Sequence, residues 1–177
     1  MSCNTTGNVK DAGATEIAMI KFITRCDVDF QFMRQKYLPK DIIRFQFDSS
    51  RKRMSTVVEL EEDEESEYDY PFRLHTKGAS EIVLATCSHY LDFDGKKQVL
   101  DAKMLENMDL IIKSYAKEAL RTIAFAYKDL MEDEGGPLHE EKAEGSKIYK
   151  IEEGGLTLIA IAGIKDIIRD EVPDAVA

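Results

Sequence analysis

Residues 1–13 are small, polar and glycine-containing and predict an irregular lead-in. From Thr15 the apolar positions take helical spacing: Ala18, Met19, Phe22, Ile23 and Cys26 recur three and four residues apart. Thr15 is expected to be the N-cap, with Glu16 in the first turn, where the helix dipole favours an anion. A second short helix is expected from Asp29 to Tyr37, ended by Pro39 and the extended bias it imposes on Leu38. The period then changes from helical to two. Ile43, Phe45 and Phe47 alternate with Arg44, Gln46 and Asp48, predicting a half-buried strand with the three apolar side chains on one face. A basic turn, Asp48 to Arg53, leads into a second strand from Met54 to Leu60, so the pair reads as a hairpin.

Glu61 to Asp69 is almost wholly acidic and reads as a solvated surface loop. Phe72, Leu74 and Thr76 restore the strand period, which is expected to break at Lys77-Gly78-Ala79, before a helix capped by Ser80 and running to about Cys87. Asp94-Gly95 signals a tight turn. The strongest helix is Asp101 to Leu120, where Met104, Leu105, Met108, Ile111, Ile112, Tyr115 and Ala119 make a continuous apolar stripe. Ile123, Phe125 and Tyr127 alternate as a strand, Glu132 to Gly155 reads as a long acidic loop, and Leu156 to Ile164 as a buried strand. Strands and helices mixed in this way, with a hairpin near the front, predict an α+β fold: an antiparallel sheet flanked by helices.

Composition narrows the function classes. With 177 residues, 44% apolar and 33% charged, one soluble globular domain is expected. The longest apolar run, Leu156 to Ile164, is about half a membrane span. No basic-then-apolar signal pattern opens the sequence, so a cytosolic setting without direct membrane contact is expected. Cys3, Cys26 and Cys87 fit free thiols in a reducing compartment. His75, His89 and His139 are scattered, so a zinc site is not expected. An EF-hand around Asp92-Phe93-Asp94-Gly95 would need its first ligand at Tyr90, which argues against calcium binding there. A net charge of −10 argues against nucleic acid, which demands a basic face, but permits a phosphorylated small molecule where bases cluster locally.

Neither a G-x-x-x-x-G-K-[ST] loop nor a G-x-G-x-x-G turn is present, so a nucleotide site would have to be built another way. Four stretches supply another way. They are Gly13-Ala14-Thr15-Glu16-Ile17-Ala18; Phe47 followed by Ser50-Arg51-Lys52-Arg53-Met54-Ser55; Lys77-Gly78-Ala79-Ser80-Glu81; and Leu120-Arg121-Thr122. In that order they resemble the G-x-x-T-E-x-A, F-x-S…R-K-x-M-S, K-G-A-[PS]-E and late-strand arginine of the nucleotide-binding domain of P-type ATPases. Gly163 to Val172 resembles the D-P-x-R-x-E-V segment that re-enters that family's phosphorylation domain, with Ile167 where proline is usual. Within the family, Arg-Lys-Arg-Met-Ser and Ser80 look most like plasma-membrane-type calcium pumps.

The resemblance implies a role for each residue. Phe47 would stack on adenine, although strand alternation by itself would make it a core residue. Glu16 would accept a hydrogen bond from the adenine amino group, or be an ordinary first-turn charge. Met54 would pack under the base, or in the core. Lys77 would line the pocket floor, with Gly78 and Ala79 leaving room for base or ribose, or serving a strand-to-helix turn. Lys52 and Arg121 would face the phosphates, or be solvated cations; Arg51 and Arg53 are read as solvated. Residues 1–163 would form the nucleotide-binding domain and 164–177 the start of the return to the phosphorylation domain. The family's phosphorylated aspartate lies in a D-K-T-G-T motif, which this sequence lacks, so the chain is expected to bind ATP without catalysing, magnesium being held only in the intact pump. The expected partners are the phosphorylation and actuator domains of a membrane cation-transporting parent, and the fragment is expected to be a monomer. A P-type pump for another cation and an acidic interaction module are the alternatives.

Overall fold

The computed structural model describes residues 13–37, 43–60, 71–131 and 148–165. The predicted lead-in up to residue 12, the turn at Pro39, the acidic loop Glu61 to Asp69, the segment 132–147 and the tail from Asp166 lie outside them. In chain order the elements are α1 (Ala14–Arg25), α2 (Phe30–Tyr37), β1 (Ile43–Asp48), β2 (Arg53–Glu59), β3 (Phe72–Ala79), α3 (Ser80–Leu84), β4 (Cys87–Leu91), β5 (Lys97–Val99), α4 (Ala102–Lys117), β6 (Leu120–Leu130), a 3-10 turn (Lys150–Glu152) and β7 (Leu156–Lys165). The seven strands form one sheet in the order β1-β2-β3-β6-β7-β4-β5. Every pairing is antiparallel except β4 with β7. The α+β class with flanking helices therefore holds, with one parallel pair that sequence patterning did not anticipate.

Local chemistry explains most boundaries. Asp29 precedes α2, and its Oδ1 accepts from Gln31 N at 2.9 Å and Phe32 N at 3.1 Å. Asp101 caps α4 in the same way, accepting from Met104 N at 2.7 Å. α4 ends earlier than its apolar stripe suggested, because Ala119 turns to a left-handed φ of 55° and lets β6 begin at Leu120. In α1 the cap is Gly13, in extended backbone without a side-chain bond, so Thr15 sits inside the first turn rather than capping it. Ser80 makes no cap bond either, and α3 stops at Leu84. Cys87 instead opens β4, paired with β5 across the predicted turn, where Gly95 has φ 77° and Asp92 Oδ1 accepts from the amides of Asp94 and Lys96.

Register shows where the core lies. Val57 pairs with Leu74, Ser55 with Thr76, Thr76 with Ala126 and Ala126 with Leu158, so these side chains share one face of the sheet. At one end of this face Val83, Leu84 and Ile112 from α3 and α4 pack on Ala124, Ala126, Leu156 and Leu158. At the other end Phe45, Val57, Leu74 and Leu130 pack with Ile151, and Tyr149 stacks on Phe45 with ring centroids 3.9 Å apart. The opposite face carries Met54, Lys77 and Ile123, with α1 reaching over it.

Two expectations about β1 and its turn fail, and both failures matter. Phe45 pairs with Ser55 but Asp48 pairs with Arg53, so β1 carries one more residue than β2 across that interval. A one-residue bulge reverses the side-chain alternation beyond it. Phe47 therefore leaves the face that buries Phe45 and is 63% exposed on the other. Arg51 and Arg53 are not solvated; they are 5% and 2% exposed. Arg51 Nη1 pairs with Glu152 Oε2 at 2.5 Å, and Arg53 Nη1 donates to the Glu152 carbonyl at 3.1 Å. Glu152, assigned from sequence to a long loop, is wholly buried on the 3-10 turn.

His75 lies on β3 opposite Thr56 and Tyr127, where burial and the nearby Arg73 charge hold its imidazole down to about 3. The unfolded chain, with an ordinary value near 6.5, binds the extra proton between these limits. The stabilisation is complete above about 6.5 and is lost as pH falls toward 3. His75→Gln should therefore lose about 2 kcal/mol less stability than the parent between pH 7 and 5, measured by urea unfolding. Parallel pH curves would show that His75 does not report on folding.

Candidate functional site

On the face opposite the core, a cavity of about 570 Å³ opens between the start of α1, the β1–β2 turn and the ends of β3, β6 and β7. All eight residues singled out from sequence line it: Glu16, Phe47, Lys52, Met54, Lys77, Gly78, Ala79 and Arg121. Thr15, Thr122, Ile123 and Ile164 line it too. The two threonines lie within motifs already noted, while Ile123 and Ile164 are apolar strand residues with no chemical signal of their own.

The sheet register assembles most of this wall. Met54 pairs with Lys77, Ala79 with Ile123, and Arg121 with Ile164, on three adjoining strand pairs. Met54 is 3% exposed and lines the cavity, combining the core and pocket readings of that residue. Phe47 is turned to this side by the bulge in β1. β3 also runs through Lys77, Gly78 and Ala79 rather than breaking there, which keeps these residues in strand geometry.

Gly78 proves to be glycine for a steric reason unlike the one expected. Its φ is not positive, so no special backbone conformation requires it. A Cβ built on it would lie 2.5 Å from the Lys52 carbonyl oxygen, 2.7 Å from Arg53 Cβ and 2.8 Å from Arg53 Cα. The room spared by the missing side chain is therefore taken by the β1–β2 turn, which docks there through Ala79 N to Lys52 O at 3.0 Å.

Electrostatically the cavity differs from the chain as a whole. Its lining has three cations, Lys52, Lys77 and Arg121, against one carboxylate, in a protein of net charge −10. Lys77 is 4% exposed, and its Nζ lies 3.0 Å from Glu16 Oε1. That pair joins the floor to α1, and the Glu16 carboxylate lies over Gly13, where a Cβ would meet Oε2 at 2.7 Å. Lys52 and Arg121 are exposed at the rim. Among the described residues no group of three His, Cys, Asp or Glu side chains is placed to hold a metal. The chemistry on offer is a flat aromatic surface, an apolar floor, one half-buried carboxylate–ammonium pair and two outlying cations.

A family model described as "P-type ATPase, cytoplasmic domain N" matches residues 4–171. The chain belongs to this family. The N domain is also 37% identical over 164 residues to the plasma membrane-type Calcium-transporting ATPase 3 of Oryza sativa subsp. japonica, covering 92% of this chain and 14% of that protein. It is 36% identical over 172 residues to the plasma membrane calcium-transporting ATPase mca-1 of Caenorhabditis elegans, covering 92% and 14%. Plasma membrane calcium-transporting ATPase 4 of Homo sapiens matches at 34% over 165 residues, covering 92% and 12%. The chain thus spans about one seventh or less of the length of these relatives. Among the described residues no helix of the N domain is long and apolar enough to cross a membrane.

Gly78→Ala tests the packing of the turn. The added methyl meets backbone rather than a yielding side chain, so the variant should lose about 2 kcal/mol or more of stability, within the range for overpacked interiors, read by urea denaturation. A neutral substitution would mean that the turn is not docked on β3.

Proposed function

We propose that this N domain binds ATP by its adenosine end and presents the phosphates to an aspartate on another domain of the parent protein. One observation supports this above all: a single cavity joins an exposed aromatic ring to three cations in a strongly acidic chain. Phe47 offers its ring to the adenine face, with Met54 beneath. Glu16, acceptor-only when ionised, accepts a hydrogen bond from the adenine amino group, and Lys77 holds that carboxylate in place. Lys52 and Arg121 meet the phosphate oxygens, the lysine as a point charge and the arginine as a planar fork.

Magnesium does not fit this site, because its one carboxylate is already engaged by Lys77. The domain's contribution to phosphoryl transfer is orientation, which converts a bimolecular encounter into a positioned one. In the same reading residues 1–163 are the nucleotide-binding unit, 164–177 lead back toward the phosphorylation domain, and the chain is a cytoplasmic part of an integral membrane protein. The parent's cargo is calcium, a reading supported by the names of the relatives. Phosphorylation and actuator domains of that parent are the partners.

The purified chain should bind ATP with a dissociation constant of about 0.1 to several millimolar, or roughly −3 to −5.5 kcal/mol, with or without magnesium and without steady phosphate release. Phe47→Ala should weaken this by about 1–3 kcal/mol, the usual stacking range. Its folding cost should stay below the about 3–5 kcal/mol expected for Phe45→Ala, whose ring is buried. Phe47→Trp should keep binding and report it by fluorescence, since the chain has no other tryptophan. A folded Phe47→Ala protein with unchanged ATP affinity would overturn the assignment.

A further inference from the structure

Lys52 occupies an unusual position. It has a left-handed φ of 52°, which an L residue with a Cβ adopts only when its surroundings impose it. It is the middle of three consecutive basic residues, and its neighbours point the other way: Lys52 is exposed, while Arg51 and Arg53 are buried. Both neighbours reach the same residue. Arg51 Nη1 is paired with the Glu152 carboxylate and Arg53 Nη1 donates to its carbonyl, while Arg51 Nη2 donates to the Gln46 carbonyl at 2.5 Å. The carboxylate is in turn fixed by the Ser55 hydroxyl and by the Tyr149 amide at 3.3 Å. Glu152 does not line the cavity. Its link to the cavity runs through the turn that ends at Lys52.

We propose that Glu152 is a positioning residue for nucleotide phosphates, clamping Arg51 and Arg53 from the core side so that Lys52 is held outward at the cavity rim. The inference rests on the nucleotide reading above. A lysine on a loose turn loses its preferred direction, and an ammonium acts on phosphate only over a short range. The clamp fixes that direction in the empty protein, so less ordering remains to be done when the anion arrives. The adenine end depends on Phe47, Glu16 and Lys77, none of which is hydrogen-bonded to Glu152, and the clamp comes nearest to it at the Arg51 bond to the Gln46 carbonyl, so the clamp acts chiefly on the phosphate end of the ligand.

That selectivity is the test. Adenosine and ATP are titrated separately into the 177-residue chain, followed by amide shifts. The variant is Arg51→Met/Glu152→Leu, which removes both charges together and so leaves neither of that pair buried alone. ATP affinity should fall about five- to tenfold, as for a weakened hydrogen bond to a charged group, while adenosine affinity stays within about twofold. In a Lys52→Ala background the same double change should cost no further ATP affinity, since both act through one ammonium. The single variant Ser55→Ala, which loosens the carboxylate without removing it, should move ATP affinity in the same direction by less. Hydrogen exchange at the Lys52 amide, bonded to the Asp48 carbonyl at 2.7 Å, should quicken in the clamp variant whether or not ligand is present. Equal losses for ATP and adenosine, or unchanged ATP affinity in a folded clamp variant, would overturn the positioning role and leave the nucleotide reading standing. A parent chain that binds neither ligand would overturn both.

Discussion

A carboxylate with no exposure to solvent organises this fold. Burying Glu152 is tolerable only because every approach to it is occupied by a donor: a guanidinium, a hydroxyl and a backbone amide. Those donors come from three separate places, the β1–β2 turn, strand β2 and the 3-10 turn before β7. The ion pair therefore ties segments about one hundred residues apart in sequence, one of them the β1–β2 turn that forms part of the cavity wall. Ser55 extends the network to Thr76 at 2.9 Å, so β3 is included as well. Removing one partner would leave a lone charge in the interior, and this makes the arrangement all-or-none.

The cavity exists because two small irregularities act on the same turn. The bulge in β1 sends Phe45 into the core and Phe47 to the other face, so that two aromatics two residues apart do different work. Gly78 then lets the turn lie close on β3, which brings Lys52 beside Lys77 and Ala79. Neither device depends on side-chain chemistry: one is a register shift that carries Phe47 across the sheet, the other a missing Cβ. They decide whether the cavity residues meet.

This explains what could be read in the sequence. Element types and the α+β class follow from period and composition, which are local properties, whereas the caps expected at Thr15 and Ser80 did not form. The eight cavity residues could be named together because short ordered motifs carry them. What stayed hidden is non-local. Alternation cannot report a bulge, since Phe47 carries the same apolar signal on either face. Arg51 and Arg53 look solvated beside Lys52 until Glu152, far along the chain, is seen to be their counter-charge. The acidic segment that contains Glu152 hid it among residues of the same charge, with Ile148, Tyr149 and Ile151 as the apolar hints nearby. The strands β4 and β5 were missed because they are short, β4 being mostly half-buried and β5 exposed throughout.

The net charge of −10 has a different meaning for each phosphate-bearing ligand. A nucleic acid presents a long row of charges and needs an extended basic face, so the overall balance counts heavily against it. A mononucleotide presents its charge at one point. Two unit charges about 4 Å apart interact by about 4 kcal/mol at an effective dielectric near 20, whereas exposed charges beyond about 8 Å are largely screened at physiological salt. Three cations gathered at one cavity against the single carboxylate of Glu16 therefore count locally for more than a larger number of carboxylates spread elsewhere. Gathering them is a task for the backbone: β3 supplies Lys77, the start of β6 supplies Arg121, and the clamped turn supplies Lys52. An acidic domain can in this way accept a polyanion at one place and repel it over the rest of its surface, so the acidity itself favours that place.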